Sequence, residues 1–134
     1  TVIDDYAHHP TEIKTTLQSV RTSWPDQRIV GVFQPHRYTR TQALFDEFTR
    51  AFYQTDQLIL VPIYSAGEEK IAGVSHTLLC EGIQAHGHKN VTCTESFEEA
   101  LALLGNDVRE GDIVMTMGAG DILKLGETLV EQLT

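Results

Sequence analysis

Short apolar runs alternate with segments of helical periodicity five times along this sequence. Apolar runs of this kind, bounded by turn residues, are typical of strands buried on both faces of a sheet. We expect five strands, at residues 2–3, 29–33, 58–63, 90–93 and 113–117. Strands that alternate with helices predict an α/β fold, with a mainly parallel sheet flanked by helices in three layers.

The segments between the strands carry apolar residues at spacings of three and four, which predict amphipathic helices. Pro10 suits the first position of a helix that extends to Trp24, and residues 44–52 are expected to form one continuous helix face. The other helices have predicted caps at Ser75 and Ser96, predicted stops at Gly87 and Gly105, and a last inner face made of Ile122, Leu125, Leu129 and Leu133.

Composition limits the classes of protein to which the chain can belong. Its 134 residues suffice for one domain, and its formal net charge of −9 argues against a broad nucleic-acid or anionic-membrane surface. No apolar stretch approaches the roughly 20 residues that cross a bilayer. Cys80 and Cys93 have no C-x-x-C spacing, so neither a disulfide framework nor a zinc knuckle is indicated and a cytoplasmic setting is expected. The strand pattern begins directly after Thr1, which indicates a fragment cut at a domain boundary.

Three polar clusters follow predicted strands, at residues 4–9, 34–40 and 118–121. In a parallel α/β sheet, every turn from a strand into a helix lies at the carboxyl edge, where ligands bind. We therefore expect the chemistry of this protein to be concentrated at one edge of its sheet.

The second cluster places His36, Arg37 and Arg40 within five residues. Guanidinium groups bind planar oxygen pairs in a bidentate manner, so these arginines suit a carboxylate or a phosphate. The alternative is that they only pair with nearby acids such as Asp46 or Glu47. Their position at the carboxyl edge favours the ligand-binding interpretation.

The first cluster contains Asp4 and Asp5, followed by His8 and His9. Such groups could hold Mg²⁺, accept ribose hydroxyls or bind a transition metal. Adjacent histidines usually point in different directions, so metal catalysis is the weaker interpretation, and His9 is expected to cap the helix that opens at Pro10. The remaining histidines are expected to face solvent: His76, His86 and His88.

The third cluster, Gly118 to Asp121, is half of a dinucleotide-binding fingerprint. Its glycines could let a ligand approach closely or could only let the last helix pack on the sheet. The chain has no G-x-x-x-x-G-K-[ST] phosphate loop, so it is not expected to transfer phosphoryl groups unaided. A receiver domain is disfavoured, because the places of its acceptor Asp and its Lys hold Pro62-Ile63-Tyr64 and Met117-Gly118.

Residues 4–12, 33–41 and 118–122 together resemble the C-terminal domain of the Mur ligases, the amino-acid-adding enzymes of peptidoglycan synthesis. The resemblance covers essentially the whole chain and points to the branch that joins L-alanine to UDP-N-acetylmuramate. It implies a Rossmann-like domain spanning residues 1–134, the last of three. An N-terminal domain would hold the UDP-sugar, and a central ATPase domain would hold most of the ATP and the Mg²⁺.

In this family ATP converts the muramoyl carboxylate into an acyl phosphate, which the amine of the amino acid attacks. The resemblance implies that Arg37 and Arg40 bind the carboxylate of L-alanine, while His36 and Tyr6 orient the amino acid. His8 would lie where the amino acid meets the nucleotide.

The same resemblance implies ATP contacts for Asp5, through the ribose hydroxyls, and for His8, Gly118 and Gly120. It implies no metal ligand and no catalytic residue within this chain, which by itself is expected to be inactive.

Two alternatives remain open on the sequence. The murein-peptide recycling ligases carry a similar first motif, although they lack this arrangement of His36, Arg37 and Arg40. A free-standing module that binds a nucleotide or an amino acid could use the same crevice, although the abrupt start at Thr1 disfavours it.

Overall fold

A computed structural model describes residues 1–133 and contains a sheet of five parallel strands. In chain order the strands are β1 (Val2–Asp5), β2 (Ile29–Phe33), β3 (Gln57–Leu60), β4 (Val91–Cys93) and β5 (Ile113–Met117). They lie in the order β1-β5-β2-β3-β4, so the last strand is inserted between the first two. The predicted α/β fold with a parallel sheet is confirmed.

Six helices connect or follow the strands: α1 (Pro10–Ser23), α2 (Tyr38–Ala43), α3 (Phe45–Phe48), α4 (His76–Ala85), α5 (Phe97–Asp107) and α6 (Ile122–Leu133). The apolar residues of α1, α3 and α4 pack on one face of the sheet, and those of α5 and α6 pack on the other. From β1 to β4 the chain crosses the sheet in one direction, and it reverses to reach β5. Because such crossovers are right-handed, this reversal moves the helices to the opposite face.

The strands supply side chains to both cores. In β2, Ile29 and Phe33 belong to the core under α1, α3 and α4, whereas Val30 and Val32 belong to the core under α5 and α6. All five residues of β2 are buried, as expected of a central strand in a three-layer fold. None of the helices in residues 1–133 is long and apolar enough to cross a membrane.

Several sequence-based boundaries differ from the structure, most clearly those of β3 and of the helix that follows β2. The third strand ends at Leu60 rather than at Ile63, since Pro62 has no N–H group with which to continue the ladder. Of the continuous helix face expected across residues 44–52, only Phe45–Phe48 is helical; this is α3, which Leu44 separates from α2. The turn that follows brings Phe52 back to Phe33, whose ring centroid lies 5.0 Å from that of Phe52 and 5.5 Å from that of Phe48.

The predicted caps are confirmed, because Ser75 and Ser96 each accept a backbone N–H from the first turn of the helix they precede. Gly87 adopts a φ of +102° just beyond α4, a conformation that favours glycine and ends a helix. Gly105 does not end α5, which continues to Asp107. Leu133 is exposed, whereas the other three residues of the predicted inner face of α6 are buried.

Candidate functional site

The three polar turns lie side by side because β1, β5 and β2 are neighbours. Asp5 pairs with Met117 in the sheet, and Met117 pairs with Phe33, so the three strands end level with one another. The pairing continues past the strand ends: the Gly118 N–H donates to the Asp5 carbonyl, and the Gln34 N–H donates to the Met117 carbonyl. The predicted concentration of polar turns at one edge is therefore observed.

The two carboxylates of the first turn have separate structural partners. Asp4 accepts a hydrogen bond from the Thr116 hydroxyl and occupies the space that a Cβ on Gly126 would fill. Asp5 accepts the Ala7 N–H at 2.7 Å and so stabilises the turn that follows β1. Asp5 therefore stabilises the first turn, whereas Asp4 packs between β5 and α6.

The two adjacent histidines point in different directions, as expected. His9 caps α1: its Nδ1 accepts the Thr11 N–H, and Glu12 accepts the His9 N–H in return. These backbone hydrogen bonds lower the pKa of Glu12. The Nδ1 of His8 lies 3.1 Å from the carbonyl oxygen of Tyr6. A carbonyl only accepts, so His8 carries a proton on Nδ1 and, when neutral, has a lone pair on Nε2.

Four rings form a row along the edge: Tyr6, His8, His36 and Tyr64. Their successive ring centroids are 5.6, 5.8 and 5.4 Å apart. His36 and Tyr64 are stacked, and an isolated parallel bridge joins their backbones beyond the ends of β2 and β3. The row gives the crevice an aromatic wall beside the cationic turn.

Arg37 has an unusual backbone. Its φ of 74° and ψ of 141° lie in a region that glycine occupies and that residues with a Cβ avoid. The Arg37 N–H donates to the Tyr64 carbonyl at 2.8 Å, and Thr41 donates to the Arg37 carbonyl, so both backbone polar groups are fixed. The guanidinium is exposed and forms no hydrogen bond or ion pair with residues 1–133. A strained backbone thus presents an exposed cation at the crevice, where its charge also acts on the carboxylate of Glu68.

Arg40 binds His36 instead of an acid. Its Nη1 lies 3.0 Å from the His36 Nδ1 and 3.0 Å from the His36 carbonyl oxygen. A guanidinium only donates, so Nδ1 is the acceptor and His36 is neutral with its proton on Nε2. Burial, together with the charge of Arg40, lowers the pKa of His36 from its ordinary value of 6.5. The alternative that Arg37 and Arg40 pair with Asp46 or Glu47 is not observed, and Asp46 pairs with Arg50.

Gln34 joins the second turn to the third. Its buried amide oxygen accepts the Ile122 N–H at the start of α6, and its Nε2 donates to Asp121. A Cβ on Gly120 would lie 2.6 Å from Tyr64 Cγ and 2.7 Å from Gln34 Oε1. Gly118 has a φ of +154°, and its Cβ would lie 2.9 Å from Ile122. Both glycines are therefore required for the packing of α6 and the aromatic row.

A pocket of about 270 Å³ opens between the first and third turns. Asp5, Tyr6, Gly118, Gly120 and Leu123 are among the residues that line it. Binding sites for drug-sized ligands usually range from about 300 to 1,000 Å³. The pocket is therefore slightly smaller than a typical site for a drug-sized ligand.

The structure brings together every sequence-predicted site residue: Tyr6, His8, His36, Arg37 and Arg40 along the row of rings, and Asp5, Gly118 and Gly120 around the pocket. Sequence reasoning gave no role to Gln34 or Tyr64. Their signal was their position directly after β2 and close after β3, at the same carboxyl edge. The expectation that His76 and His88 face solvent was wrong, because both are buried and bonded to backbone oxygens of Thr94 and Thr55.

Comparison with known proteins identifies the family. The family model described as "Mur ligase, glutamate ligase domain" matches residues 1–120. A UDP-N-acetylmuramate–L-alanine ligase of Desulforapulum autotrophicum is 62% identical over 131 residues, which cover 98% of this chain and 29% of that protein. The chain therefore belongs to the Mur ligase family. It spans less than a third of the length of this relative and corresponds to its C-terminal part.

Solved structures have the same fold. A UDP-N-acetylmuramate–alanine ligase from Thermotoga maritima is similar to the chain with a TM-score of 0.79 and 28% identity, over 98% of this chain and 26% of that one. A domain from a Haemophilus ducreyi protein, whose name is putative UDP-N-acetylmuramate:L-alanyl-γ-D-glutamyl-meso-diaminopimelate ligase, has a TM-score of 0.73 at 20% identity. It covers all of this chain and 91% of that one, so a domain of nearly the same extent has been crystallised alone.

Replacing Arg37 with glycine is expected to stabilise the chain. Glycine adopts the observed φ and ψ without strain, whereas Arg37→Ala keeps a Cβ and hence the strain. We expect the free energy of unfolding, measured in urea, to be about 1 kcal/mol higher for Arg37→Gly than for Arg37→Ala. Equal stabilities of the two variants would show that the Arg37 backbone is not strained.

The His36 imidazole is expected to titrate below 6.5 in an NMR pH titration. Since the folded chain holds His36 neutral, the unfolded chain binds more protons, and the contribution of His36 to stability is lost as the pH falls below 6.5. Arg40→Gln should raise the midpoint without restoring the ordinary value, because the burial remains. Arg50→Gln, at a residue just beyond α3, is the control and should leave the titration midpoint of His36 unchanged. A midpoint that does not respond to Arg40→Gln would contradict the observed contact.

Proposed function

We propose that residues 1–134 form the C-terminal, amino-acid-binding domain of an ATP-dependent ligase that joins L-alanine to UDP-N-acetylmuramate in peptidoglycan synthesis. The observation that carries the proposal is the cationic turn, in which Arg37 is exposed, forms no ion pair within residues 1–133 and is held in a glycine-like backbone beside the row of rings. The 62% identity to a ligase of this name supports the choice of substrate. The UDP-sugar and central ATPase domains would lie outside this chain.

Arg37 and Arg40 are proposed to bind the carboxylate of L-alanine. Arg40 is held by two contacts with His36, and Arg37 projects from the start of α2, three residues away. Two neighbouring guanidiniums, of which Arg40 is held by His36, can bind both carboxylate oxygens and so set the direction of the amino group. The neutral state of His36 matters here, because its contact with Arg40 requires an unprotonated Nδ1.

The rings of Tyr6, His8 and His36 are proposed to limit the space for the side chain of the amino acid and to face its amino group. His8 carries its proton on Nδ1, so in the neutral ring Nε2 can accept a hydrogen bond from an amine. These rings come from two different turns, and their relative position depends on the insertion of β5. Orientation of the amine toward an activated carboxyl group is the contribution expected from this domain.

ATP is proposed to contact the pocket between the first and third turns. Asp5 uses one carboxylate oxygen for the Ala7 N–H, which leaves the other for ribose hydroxyls, and Gly118 and Gly120 present backbone without side chains. His8, at the junction with the amino acid, is proposed as a further contact. When bound, ATP supplies the phosphoryl group that activates the carboxyl group of the sugar substrate.

The residues at this crevice do not fit a Mg²⁺ site. Asp4 and Asp5 each have an oxygen committed to the backbone or to Thr116, and within residues 1–133 they do not join any group of three metal-binding side chains. Mg²⁺ prefers a nearly octahedral set of oxygens. We therefore assign Mg²⁺ to the part of the ligase outside this chain. We also propose a cytoplasmic location, where ATP and the UDP-sugar are available.

The proposal is tested by ADP release from the full-length ligase supplied with ATP, Mg²⁺ and UDP-N-acetylmuramate. We expect release that depends on L-alanine and not on the murein tripeptide L-alanyl-γ-D-glutamyl-meso-diaminopimelate. The isolated chain, as the control, should release no ADP. ADP release that depends on the tripeptide alone would show that the protein is a cell-wall recycling ligase. ADP release by the isolated chain would show that its activity does not require the other two domains.

In the same assay, Arg37→Ala should raise the KM for L-alanine by about 10- to 100-fold, as expected for a lost charge-assisted hydrogen bond of about 1.5–3 kcal/mol. The KM for UDP-N-acetylmuramate should change little. Arg50→Ala, an exposed arginine remote from the crevice, is the matched control. An unchanged KM for L-alanine in Arg37→Ala would show that Arg37 does not bind the carboxylate of L-alanine.

A further inference from the structure

A second group of reactive side chains lies at the other end of the same sheet edge. His76, Cys93 and Glu95 place a ring nitrogen, a sulfur and a carboxylate oxygen within 4.8 Å of one another. His76 is the first residue of α4, Cys93 is the last residue of β4, and Glu95 lies in the turn that follows. The fold therefore brings three different metal-ligand types to one point, away from the proposed amino-acid site.

His76 is fixed in this group. The imidazole is buried, its Nε2 lies 2.8 Å from the carbonyl oxygen of Thr94, and the same nitrogen lies 4.0 Å from Glu95 Oε1. The sulfur of Cys93 lies 3.4 Å from the Thr77 hydroxyl and is only partly buried. None of these side chains has a role in the proposed ligase reaction.

We propose that His76, Cys93 and Glu95 form a binding site for a divalent transition metal, with Zn²⁺ as the ion that fits best. A thiolate, an imidazole and a carboxylate are all common zinc ligands, whereas Mg²⁺ and Ca²⁺ prefer oxygen alone. On binding, the Cys93 thiol releases its proton to solvent, and the His76 proton moves from Nε2 to Nδ1, which frees the Nε2 lone pair. The thiolate and the carboxylate then balance the two charges of the metal.

The surroundings allow a metal to enter and its coordination shell to be completed. A cavity of about 650 Å³ opens beside the group and is lined by His76, Glu95, Tyr38 and Lys70. It leaves room for a water as the fourth ligand of the metal. The carbonyl oxygen of Thr94 lies nearby and is a further oxygen ligand within reach. The positive end of the α4 dipole and the ammonium group of Lys70 disfavour the binding of a cation here. The negative charges of the two anionic ligands offset this repulsion. Only small movements are required, since Glu95 is exposed and can approach His76.

The test uses Co²⁺ as a spectroscopic substitute for Zn²⁺ on the 134-residue chain. The chain has cores on both faces of its sheet, and a domain of similar extent has been crystallised alone, so it is a suitable sample. We expect one equivalent of Co²⁺ to produce a thiolate-to-cobalt charge-transfer band and the strong visible bands of a four-coordinate ion. Zn²⁺ should abolish these bands, and excess Mg²⁺ should not.

Variants identify the ligands. Cys93→Ser should remove the charge-transfer band, whereas Cys80→Ala, at the other thiol, should keep it. Glu95→Gln should weaken binding by about tenfold or more, and Glu98→Gln should have no effect. Both glutamates are exposed, so this pair gives a decisive comparison even if a cysteine variant fails to fold. The absence of a thiolate band at excess Co²⁺, or equal affinities of the two glutamate variants, would overturn the proposal.

Discussion

The insertion of β5 between β1 and β2 is the constraint on which the rest of the structure depends. Neighbouring strands lie about 4.8 Å apart, so this insertion brings three separate turns within reach of one small ligand. The Gly118 N–H and the Gln34 N–H extend the pairing beyond the strand ends and hold the turns level. The same reversal of chain direction moves α5 and α6 to the second face of the sheet. One topological step therefore produces both the three layers and the crevice.

Gln34 links this strand order to the geometry of the site. It is buried, it satisfies an N–H group at the start of α6, and it contacts Asp121, so a single side chain positions the third turn against the second. Gly120 is part of the same arrangement, because Tyr64 and Gln34 occupy the space its side chain would need. The glycines of the third turn, whose pattern is typical of nucleotide binding, are thus also required for packing. The same glycines line the pocket, so packing does not prevent them from facing a ligand.

The cationic turn shows how stability and function are balanced. A chain with a net charge of −9 offers many acids, yet Arg37 forms no ion pair with any of residues 1–133, and its backbone is held in a conformation suited to glycine. Such strain usually costs about 1–3 kcal/mol and persists only where the surrounding structure enforces it. Here the enforcing contacts are the Tyr64 and Thr41 hydrogen bonds. The neutral His36 completes the arrangement by fixing the Arg40 guanidinium, whereas at Arg37 it is the backbone that is fixed.

Patterns in the sequence were enough to predict the five strands, the caps Ser75 and Ser96, the cap role of His9 and the edge at which Arg37 and Arg40 lie. These features depend on residues close together in the chain, where periodicity and capping are readable. The three-dimensional fold was needed to establish the strand order, the Arg40–His36 contact and the burial of His76 and His88. It also decided that Tyr64 stacks on His36 and that His76, Cys93 and Glu95 meet. The physical reason is that these contacts join residues far apart in the sequence or depend on the paths of neighbouring segments: His88 is buried because Thr55, 33 residues earlier, offers it a hydrogen bond.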